Sequence, residues 1–305
     1  MKKILAIVGP TASGKSELAY RISEKIKSEI ISADSRQIFK YLDIGTAKPT
    51  IEIRNKFKHH FVDELKPSEY FSAGEFAKHA KIKINNIFKH DKLPIIVGGT
   101  GLYISSLIYG LFEGVGKNDE IRNELLDKLK NFGADYLHNE LKKVDPISAK
   151  KYIPAQTRFV VRAMEVFLTS GIPISEHHKN QKQKEIFPSI IIGLNWERKI
   201  LYDKINKRVD EMIANNFIDE VKNILEIGYD EKIPALQTVG YKEAIEFLKN
   251  KISYDEFVRL MKQSSRRYAK RQMTWFRRMK EIFWFDLKIE DDFENVKLKV
   301  LKLIK

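Results

Sequence analysis

The stretch Gly9-Pro10-Thr11-Ala12-Ser13-Gly14-Lys15-Ser16 decides the fold. It matches the phosphate-loop pattern G-x-x-x-x-G-K-[ST], and an apolar run over 4–8 precedes it while a helical pattern over 15–27 follows it. The backbone N–H groups of such a loop and the helix N-terminus form a concave binding site for phosphate groups. Lys15 adds a positive charge, and the Ser16 hydroxyl is a ligand for Mg²⁺. We therefore predict a ligand that carries a pyrophosphate group.

Strands and helices alternate along the regions that flank this loop. Short apolar runs have the length of buried strands, and 73–88 carries a helical apolar stripe between two of them. This alternation is typical of parallel sheets covered by helices. We predict an α/β fold, a P-loop NTPase-like parallel sheet core flanked by helices. The predicted strands are 4–8, 29–33, 94–97, 188–194 and 282–285.

The middle of the chain follows a different pattern. Three helical segments, 119–130, 136–143 and 157–169, succeed one another with no strand between them. We therefore predict a small all-helical insertion domain over 115–185, and we assign 1–114 and 186–305 to the α/β core.

Composition excludes several classes of protein. The 305 residues contain no cysteine, which excludes a disulfide framework, a cysteine-ligated zinc finger, a thiolate nucleophile and an iron–sulfur cluster. No apolar stretch approaches the roughly 20 residues that span a bilayer, so we expect a cytoplasmic protein without a membrane partner. Lysine and arginine number 55 against 41 acidic residues, a net charge of +14 that favours a polyanionic partner.

The basic residues are concentrated near the C-terminus. Residues 258–280 include nine lysines and arginines, among them Lys270 and Arg271, and no acidic residue. An ordinary solvated helix would mix both signs of charge, so this segment is predicted to contact nucleic-acid phosphates. The alternative is a basic face whose aliphatic stems cover the core.

Two further positions are candidates for the site. Asp34 follows the strand at 29–33, and it could face an acceptor substrate or simply cap the next turn. Thr100 follows Gly98-Gly99 at the end of another strand, where the glycines could instead only permit a tight turn. Ligands of open parallel sheets bind at the carboxyl ends of the strands, so the phosphate loop, Asp34 and Thr100 are expected to converge. The GTPase motifs Asp-x-x-Gly and Asn-Lys-x-Asp are absent from the sequence.

Several blocks of sequence, taken together, are much more specific than a phosphate loop. In chain order they resemble the tRNA dimethylallyltransferase family, and they extend over nearly the whole chain. The blocks are 9–16, 32–37 (Ser-Ala-Asp-Ser-Arg-Gln), 41–49 (Tyr-Leu-Asp-Ile-Gly-Thr-Ala-Lys-Pro), 70–73, 97–103 (Val-Gly-Gly-Thr-Gly-Leu-Tyr), 162–166, 238–241 and 269–275.

The resemblance implies a reaction and roles for residues. A dimethylallyl group would pass from dimethylallyl diphosphate to N6 of adenosine 37 in tRNA. Asp34 would accept the proton of the amine, and Thr100 would lie beside it. The phosphate loop, Arg208 and Mg²⁺ bound to Ser16 would hold the diphosphate and neutralise its charge as it leaves.

The resemblance also implies a tRNA-binding surface. The residues carried over are Asp34, Ser35, Arg36, Gln37, Thr100, Arg122, Arg158, Phe159, Val160, Val161, Arg162, Gln237, Thr238, Val239, Gly240, Tyr241 and Lys242, to which the basic segment adds Lys270 and Arg271. The chain departs from the family pattern at Phe159, where a basic residue is frequent, and over 113–119. Arg122, Arg158 and Arg162 could each have a purely structural role.

Two other functions remain open from the sequence. A P-loop kinase that phosphorylates a small molecule or a nucleic-acid end would use Lys15, Mg²⁺ and Asp34 in similar ways, but it leaves the basic segment unexplained. A non-enzymatic RNA-binding protein would use a nucleotide only as a switch. We expect a monomer, because no coiled-coil pattern or unexplained apolar surface stripe is present.

Overall fold

The structure, a computed structural model, describes residues 2–110, 116–180 and 186–304. Within these residues six strands form one sheet, and each pair of neighbouring strands is parallel. The strands are β1 Ile4–Val8, β2 Ser28–Ser32, β3 His59–His60, β4 Leu93–Gly98, β5 Ser189–Trp196 and β6 Ile282–Leu287. Their spatial order is β3-β2-β4-β1-β5-β6, which places the strand before the phosphate loop inside the sheet.

Thirteen helices occur in the same described residues. They are α1 Lys15–Ser23, α2 Ile51–Lys56, α3 Ala73–Lys89, α4 Gly101–Tyr109, α5 Asp119–Val144, α6 Pro146–Lys151, α7 Thr157–Ser170, α8 Ile174–Asn180, α9 Arg198–Ala214, α10 Phe217–Glu226, α11 Tyr241–Leu248, α12 Tyr254–Phe276 and α13 Asp292–Ile304. Gly133 has a positive φ and interrupts α5, so this helix consists of two helical stretches.

Burial on both faces explains why β1 is uniformly apolar. Leu5 and Ile7 belong to one hydrophobic cluster with Leu18 of α1 and Val300 of α13. Ala6 points to the opposite face because side chains alternate along a strand, and it is also fully buried. A strand covered on both faces has no solvent-facing position for a polar residue. The predicted parallel α/β core is confirmed.

The chain divides into two compact units, Met1–Ile108 with Glu185–Lys305, and Tyr109–Lys184. The first contains the whole sheet, and the second contains α5 to α8. The second unit has its own hydrophobic cluster, which includes Leu125, Leu141 and Val166. The boundaries expected from the sequence, 114/115 and 185/186, fall on or beside residues outside the described ranges.

Two helices differ in extent from the sequence prediction. The helix expected over 15–27 ends at Ser23, because β2 begins at Ser28 and the chain must turn before it. The basic helix expected over 258–280 is α12, which begins earlier because the Ser253 hydroxyl caps it by accepting the N–H of Glu256 over 3.2 Å. It ends at Phe276, since β6 begins six residues later.

None of the helices in the described part of the chain combines the length and the apolar character needed to cross a membrane.

Candidate active site

The phosphate loop connects β1 to α1. Gly14 has a φ of 85°, in the left-handed region that favours glycine. A Cβ at this position would also lie 2.1 Å from the ring of Phe293, so both backbone and packing require glycine here. Lys15 opens α1, and its ammonium donates a hydrogen bond to the carbonyl of Pro10 over 2.6 Å. This hydrogen bond holds the side chain of Lys15 across the phosphate loop.

A cavity opens where β1, β2 and β4 end. Thr11, Lys15 and Ser16 line it from the phosphate loop, Asp34 from the end of β2 and Arg208 from α9. Further lining residues are Ala19, Tyr20, Ile30, Ser32, Gln37, Thr46, Ala47, Pro49, His59, Val97, Gly98, Gly99, Tyr268 and Gln272. The fold therefore brings the predicted phosphate-binding residues and the candidate base to one crevice.

The cavity contains more positive than negative charge. Burial is the main cause that lowers the pKa of Lys15 to about 7, and the charge of Arg208 lowers it further, whereas Asp34 opposes the shift. Burial likewise lowers the pKa of Arg208, against the influence of Asp34. Burial disfavours the charged forms of both side chains, and the charge of Arg208 further disfavours that of Lys15. An anionic ligand would stabilise both charged forms. This arrangement is suited to a diphosphate.

Asp34 caps a turn, which was one of the two interpretations of its position in the sequence, and it also lines the cavity. Its Oδ1 accepts the backbone N–H of Arg36 over 2.8 Å and that of Gln37 over 3.4 Å, so it caps the turn after β2. The same side chain lines the cavity with Lys15 and Arg208. The turn thus holds the carboxylate at the wall of the cavity that Lys15 and Arg208 also line.

Thr100 lies beside this turn. Its hydroxyl oxygen accepts the backbone N–H of Ser35 over 3.1 Å, and its side chain lowers the pKa of the Tyr268 phenol against the larger effect of burial. Burial raises the pKa of Tyr268 to about 12, so this phenol stays protonated at physiological pH. Tyr268 comes from α12 and lines the cavity, a position that the sequence analysis did not single out.

The glycines before Thr100 allow close packing as well as a turn. A Cβ on Gly98 would lie 2.1 Å from the carbonyl oxygen of Ala33. A Cβ on Gly99 would lie 2.0 Å from Nε2 of Gln272. The end of β4 therefore packs closely against the residue after β2 at Gly98 and against α12 at Gly99.

Gln37 lines the cavity and binds the loop that contains Thr46 and Ala47. Its Nε2 donates to the carbonyls of Thr46 and Ala47, each over 3.2 Å, and its Oε1 accepts the hydroxyl of Ser32 over 2.9 Å. These contacts engage both polar atoms of Gln37 in the cavity wall. In this structure Gln37 therefore shapes the cavity from within.

The segment 237–242 divides into exposed and buried members. Gln237 and Lys242 are exposed, Thr238 and Val239 are half-buried, and Gly240 and Tyr241 are buried. The Tyr241 hydroxyl donates to Glu220, so the tyrosine contributes to the core and not to the surface. Arg36 also faces this region, since its guanidinium donates to the carbonyl of Pro234 over 2.9 Å.

Two candidate arginines of the helical unit share one buried partner. Arg122 and Arg162 lie 3.0 Å and 3.2 Å from Oε2 of Glu165, which has no exposed surface. The other oxygen of Glu165 accepts the backbone N–H of Asn118 over 3.0 Å. Both guanidiniums thus have a structural role, and both remain about one-third exposed.

The other candidate residues on α7 lie partly on its exposed face and partly on its buried face. Arg158 is exposed, and Phe159 is exposed by 56% and stacks on Tyr152 with ring centroids 5.2 Å apart. Val160 and Val161 are buried in the core of the helical unit. The sequence expectation of a tRNA contact at the two valines therefore does not fit their side chains, which lie on the apolar face of α7.

The basic helix α12 uses its charges in two ways. Lys262 pairs with Asp210 over 2.6 Å, and Arg266 donates to the side chain of Asn206 over 2.6 Å, so these two attach α12 to α9. Lys270 and Arg271 are exposed. The basic residues in the first part of the helix thus attach it to α9 through polar contacts, whereas Lys270 and Arg271 near its end are exposed, with the Arg271 guanidinium 5.6 Å from the centroid of the Tyr268 ring.

Three residues that organise the site were missed in the sequence. Tyr268 and Gln272 of α12 line the cavity, and a glutamine within an otherwise apolar helical stripe is the signal that could have identified the second. Glu220 accepts the backbone N–H groups of Asp43, Ile44 and Gly45 over 2.9, 2.6 and 3.2 Å. No local pattern points to Glu220, because its partners are about 175 residues away.

The chain is similar to known proteins over nearly its whole length. Residues 37–279 match the family model described as IPP transferase. The tRNA dimethylallyltransferase of Thermoanaerobacter sp. (strain X514) is 46% identical to this chain over 309 residues, which cover 99% of this chain and 97% of that protein. The tRNA dimethylallyltransferase of Thermotoga maritima is 43% identical, with 99% and 98% covered.

Solved structures give the same result. The full-length tRNA isopentenylpyrophosphate transferase of Bacillus halodurans superposes with a TM-score of 0.74 at 35% identity, covering 100% of this chain and 97% of that one. A eukaryotic dimethylallyltransferase captured acting on tRNA gives a TM-score of 0.86 at 28% identity, with 99% and 78% covered. The chain belongs to the IPP transferase family.

Proposed function

We propose that this protein is a tRNA dimethylallyltransferase. It transfers the dimethylallyl group of dimethylallyl diphosphate to N6 of adenosine 37 in tRNA and releases diphosphate. The names of relatives that match nearly the whole chain support this activity. The observation that carries the proposal is the single cavity in which Lys15 and Arg208 face Asp34.

The diphosphate is assigned to the side of the cavity that the phosphate loop forms. Lys15, Arg208 and the N–H groups at the start of α1 neutralise the charge that grows as the allylic C–O bond breaks. An allylic diphosphate ionises readily once its leaving group is neutralised in this way. Both cations are desolvated before the ligand arrives, which strengthens their interaction with the anion.

Asp34 is assigned as the acceptor of the proton. Adenine N6 is a poor nucleophile because its lone pair is delocalised into the ring. As the new C–N bond forms, the amine must lose a proton, and a carboxylate within hydrogen-bond distance can accept it. The turn engages Oδ1 of Asp34, so the other carboxylate oxygen is assigned to the proton. Thr100, whose hydroxyl accepts the N–H of Ser35, is assigned beside the amine.

We assign Mg²⁺ as the divalent ion of the reaction. The Ser16 hydroxyl lines the cavity next to Lys15, at the position where phosphate loops supply a ligand to Mg²⁺. One protein oxygen suits this ion, which keeps several waters and takes further oxygens from the phosphates. No cluster of three or more histidine or acidic side chains that could hold a metal occurs among the described residues. When bound, the ion adds positive charge to the departing diphosphate.

In this proposal the exposed candidate residues of each unit contribute contacts with tRNA. Arg158 and Phe159 belong to the helical unit, whereas Lys242, Lys270 and Arg271 belong to the α/β unit. We further propose that the enzyme is a monomer and works in the cytoplasm, where tRNA is available.

A labelled-substrate assay tests the proposal against the kinase alternative. The protein is incubated with undermodified tRNA, Mg²⁺ and either dimethylallyl diphosphate labelled in the allyl group or ATP labelled in the γ-phosphate. Label should enter the RNA only from the prenyl diphosphate. Label that enters only from ATP would overturn the proposal and support a kinase.

A further inference from the structure

The amide of Gln272 bridges two loops of the active site. The residue lies on α12 and is 6% exposed. Its Oε1 accepts the backbone N–H of Thr11 in the phosphate loop over 2.8 Å. Its Nε2 donates to the backbone carbonyl of Gly99, at the end of β4, over 3.0 Å. One side chain therefore connects the end of β1 with the end of β4.

The chemistry of this position requires a group that both accepts and donates. A backbone N–H needs an acceptor, and a backbone carbonyl needs a donor, so the two partners fix the orientation of the amide. The space is equally restricted, because a Cβ on Gly99 would lie 2.0 Å from Nε2 of Gln272. The missing side chain of Gly99 makes the close approach of α12 possible.

The two bridged loops serve different substrates in the proposed reaction. Thr11 belongs to the loop assigned to the diphosphate. Gly99 directly precedes Thr100, whose hydroxyl accepts the N–H of Ser35 in the turn that Asp34 caps. One turn earlier on α12, Tyr268 lines the same cavity. Helix α12 thus contacts the loop assigned to the donor at Thr11 and the loop that precedes Thr100 at Gly99.

We propose that Gln272 is a positioning residue that sets the distance between the diphosphate loop and the loop of Thr100, and hence between the two reacting substrates. The proposal rests on the proposed transferase function. Binding of the diphosphate depends mainly on Lys15, Arg208 and the remaining loop amides, which Gln272 does not touch. Loss of the bridge should therefore slow the chemical step more than it weakens binding.

The first test replaces Gln272 with methionine, which has a similar length and forms neither hydrogen bond. Because misplacement of reacting groups by about 1 Å costs on the order of 100-fold, we expect kcat of Gln272→Met to fall about 10- to 100-fold. The KM for dimethylallyl diphosphate and the Kd for inorganic pyrophosphate should change much less. The matched control is Gln263→Met, a half-buried glutamine on the same helix. Equal kcat values for the two variants would overturn the proposal.

The second test separates positioning from a general loss of packing. In Gln272→Glu the carboxylate still accepts the N–H of Thr11 but faces the carbonyl of Gly99 with a second acceptor. Protonation of the carboxyl restores the donor, so the acid form reproduces both hydrogen bonds of the amide. Burial raises the pKa of such a carboxyl, which brings the change toward the range of the assay.

The pH profile then gives the decisive result. The activity of Gln272→Glu, divided by that of the wild type at the same pH, should rise as the pH falls from 8 to 5.5, while the same ratio for Gln272→Met stays constant. A constant ratio for Gln272→Glu would overturn the proposal. A wild-type protein that transfers no dimethylallyl group would instead overturn the proposed function, and with it this inference.

Discussion

The hydroxyl of Tyr241 donates a hydrogen bond to the carboxylate of Glu220 over 2.7 Å. The same carboxylate accepts three consecutive backbone N–H groups, those of 43–45. The carboxylate accepts hydrogen bonds from N–H groups that would otherwise have no partner in a packed loop. The next residue of that loop, Thr46, lines the cavity and binds Gln37. Tyr241 and Glu220 together anchor one wall of the active site.

Replacement of Glu220 should therefore destabilise the protein. Glu220→Ala leaves three backbone N–H groups and one phenol without their acceptor, and we expect the free energy of unfolding to fall by about 2–3 kcal/mol. Denaturant unfolding followed by fluorescence measures this change. Asp219→Ala is the matched control, because Asp219 is an exposed acid in the same first turn of α10. Equal stabilities of the two variants would show that the anchor contributes nothing.

Asp34→Asn separates the base from the turn that holds it. The Oδ1 of asparagine still accepts the N–H of Arg36, so the turn is kept while the proton acceptor is lost. We expect kcat to fall about 10²- to 10⁴-fold, the usual contribution of a general base, with tRNA affinity retained. Single-turnover transfer and gel-shift binding measure the two quantities. Activity close to that of the wild type would remove Asp34 from the chemical step.

The lowered pKa of Lys15 predicts a proton linkage. In the free protein this amine has a pKa of about 7, so at pH 8.5 it is mostly neutral, and an arriving diphosphate favours its charged form. Binding of inorganic pyrophosphate should thus take up about one proton at Lys15 at pH 8.5 and almost none at pH 6. Calorimetry in buffers of different ionisation enthalpy measures the uptake.

Lys15→Arg is the control for this linkage. A guanidinium remains charged at both values of pH, whereas the ionisation of pyrophosphate itself is common to both proteins. The difference in proton uptake between the two proteins isolates Lys15. If they take up equal numbers of protons at pH 8.5, the lysine is already charged in the free protein and the prediction is wrong.

The exposed end of α12 should carry part of the affinity for RNA. Lys270→Ala and Arg271→Ala should each weaken tRNA binding and reduce the slope of log Kobs against log salt by about 1, as expected for one lost phosphate contact. Lys262→Ala is the control, because this lysine pairs with Asp210 on α9. A salt slope that changes as much in the control as in the other two would contradict a specific contact at this end of the helix.

The α/β core could be predicted from the sequence because its signals are local. A strand buried on both faces is a run of apolar residues, and the phosphate-loop motif lies within eight consecutive residues of the chain, 9–16. The end of each parallel strand lies at the same edge of the sheet, which brought Asp34 to the phosphate loop by topology alone. The short β3, of two residues, carries too little pattern to be seen.

The long-range supports of the site could not be predicted in this way. Gln272 touches residues 261 and 173 positions away, and only the folded chain shows that its amide lies between two loops. For Val160 and Val161, the family resemblance implied tRNA binding by the whole of 158–162 without distinguishing the exposed face of the helix from its buried face. Burial assigns the valines to the core and leaves Arg158 and Phe159 at the surface.

The most direct test is mass analysis of nucleosides from undermodified tRNA after incubation with the purified protein, Mg²⁺ and dimethylallyl diphosphate. We expect adenosine to gain the mass of a dimethylallyl group with wild-type protein, and far more slowly with Asp34→Asn. RNA that remains unmodified under these conditions while ATP is consumed in a parallel reaction would contradict the assignment of this site to prenyl transfer.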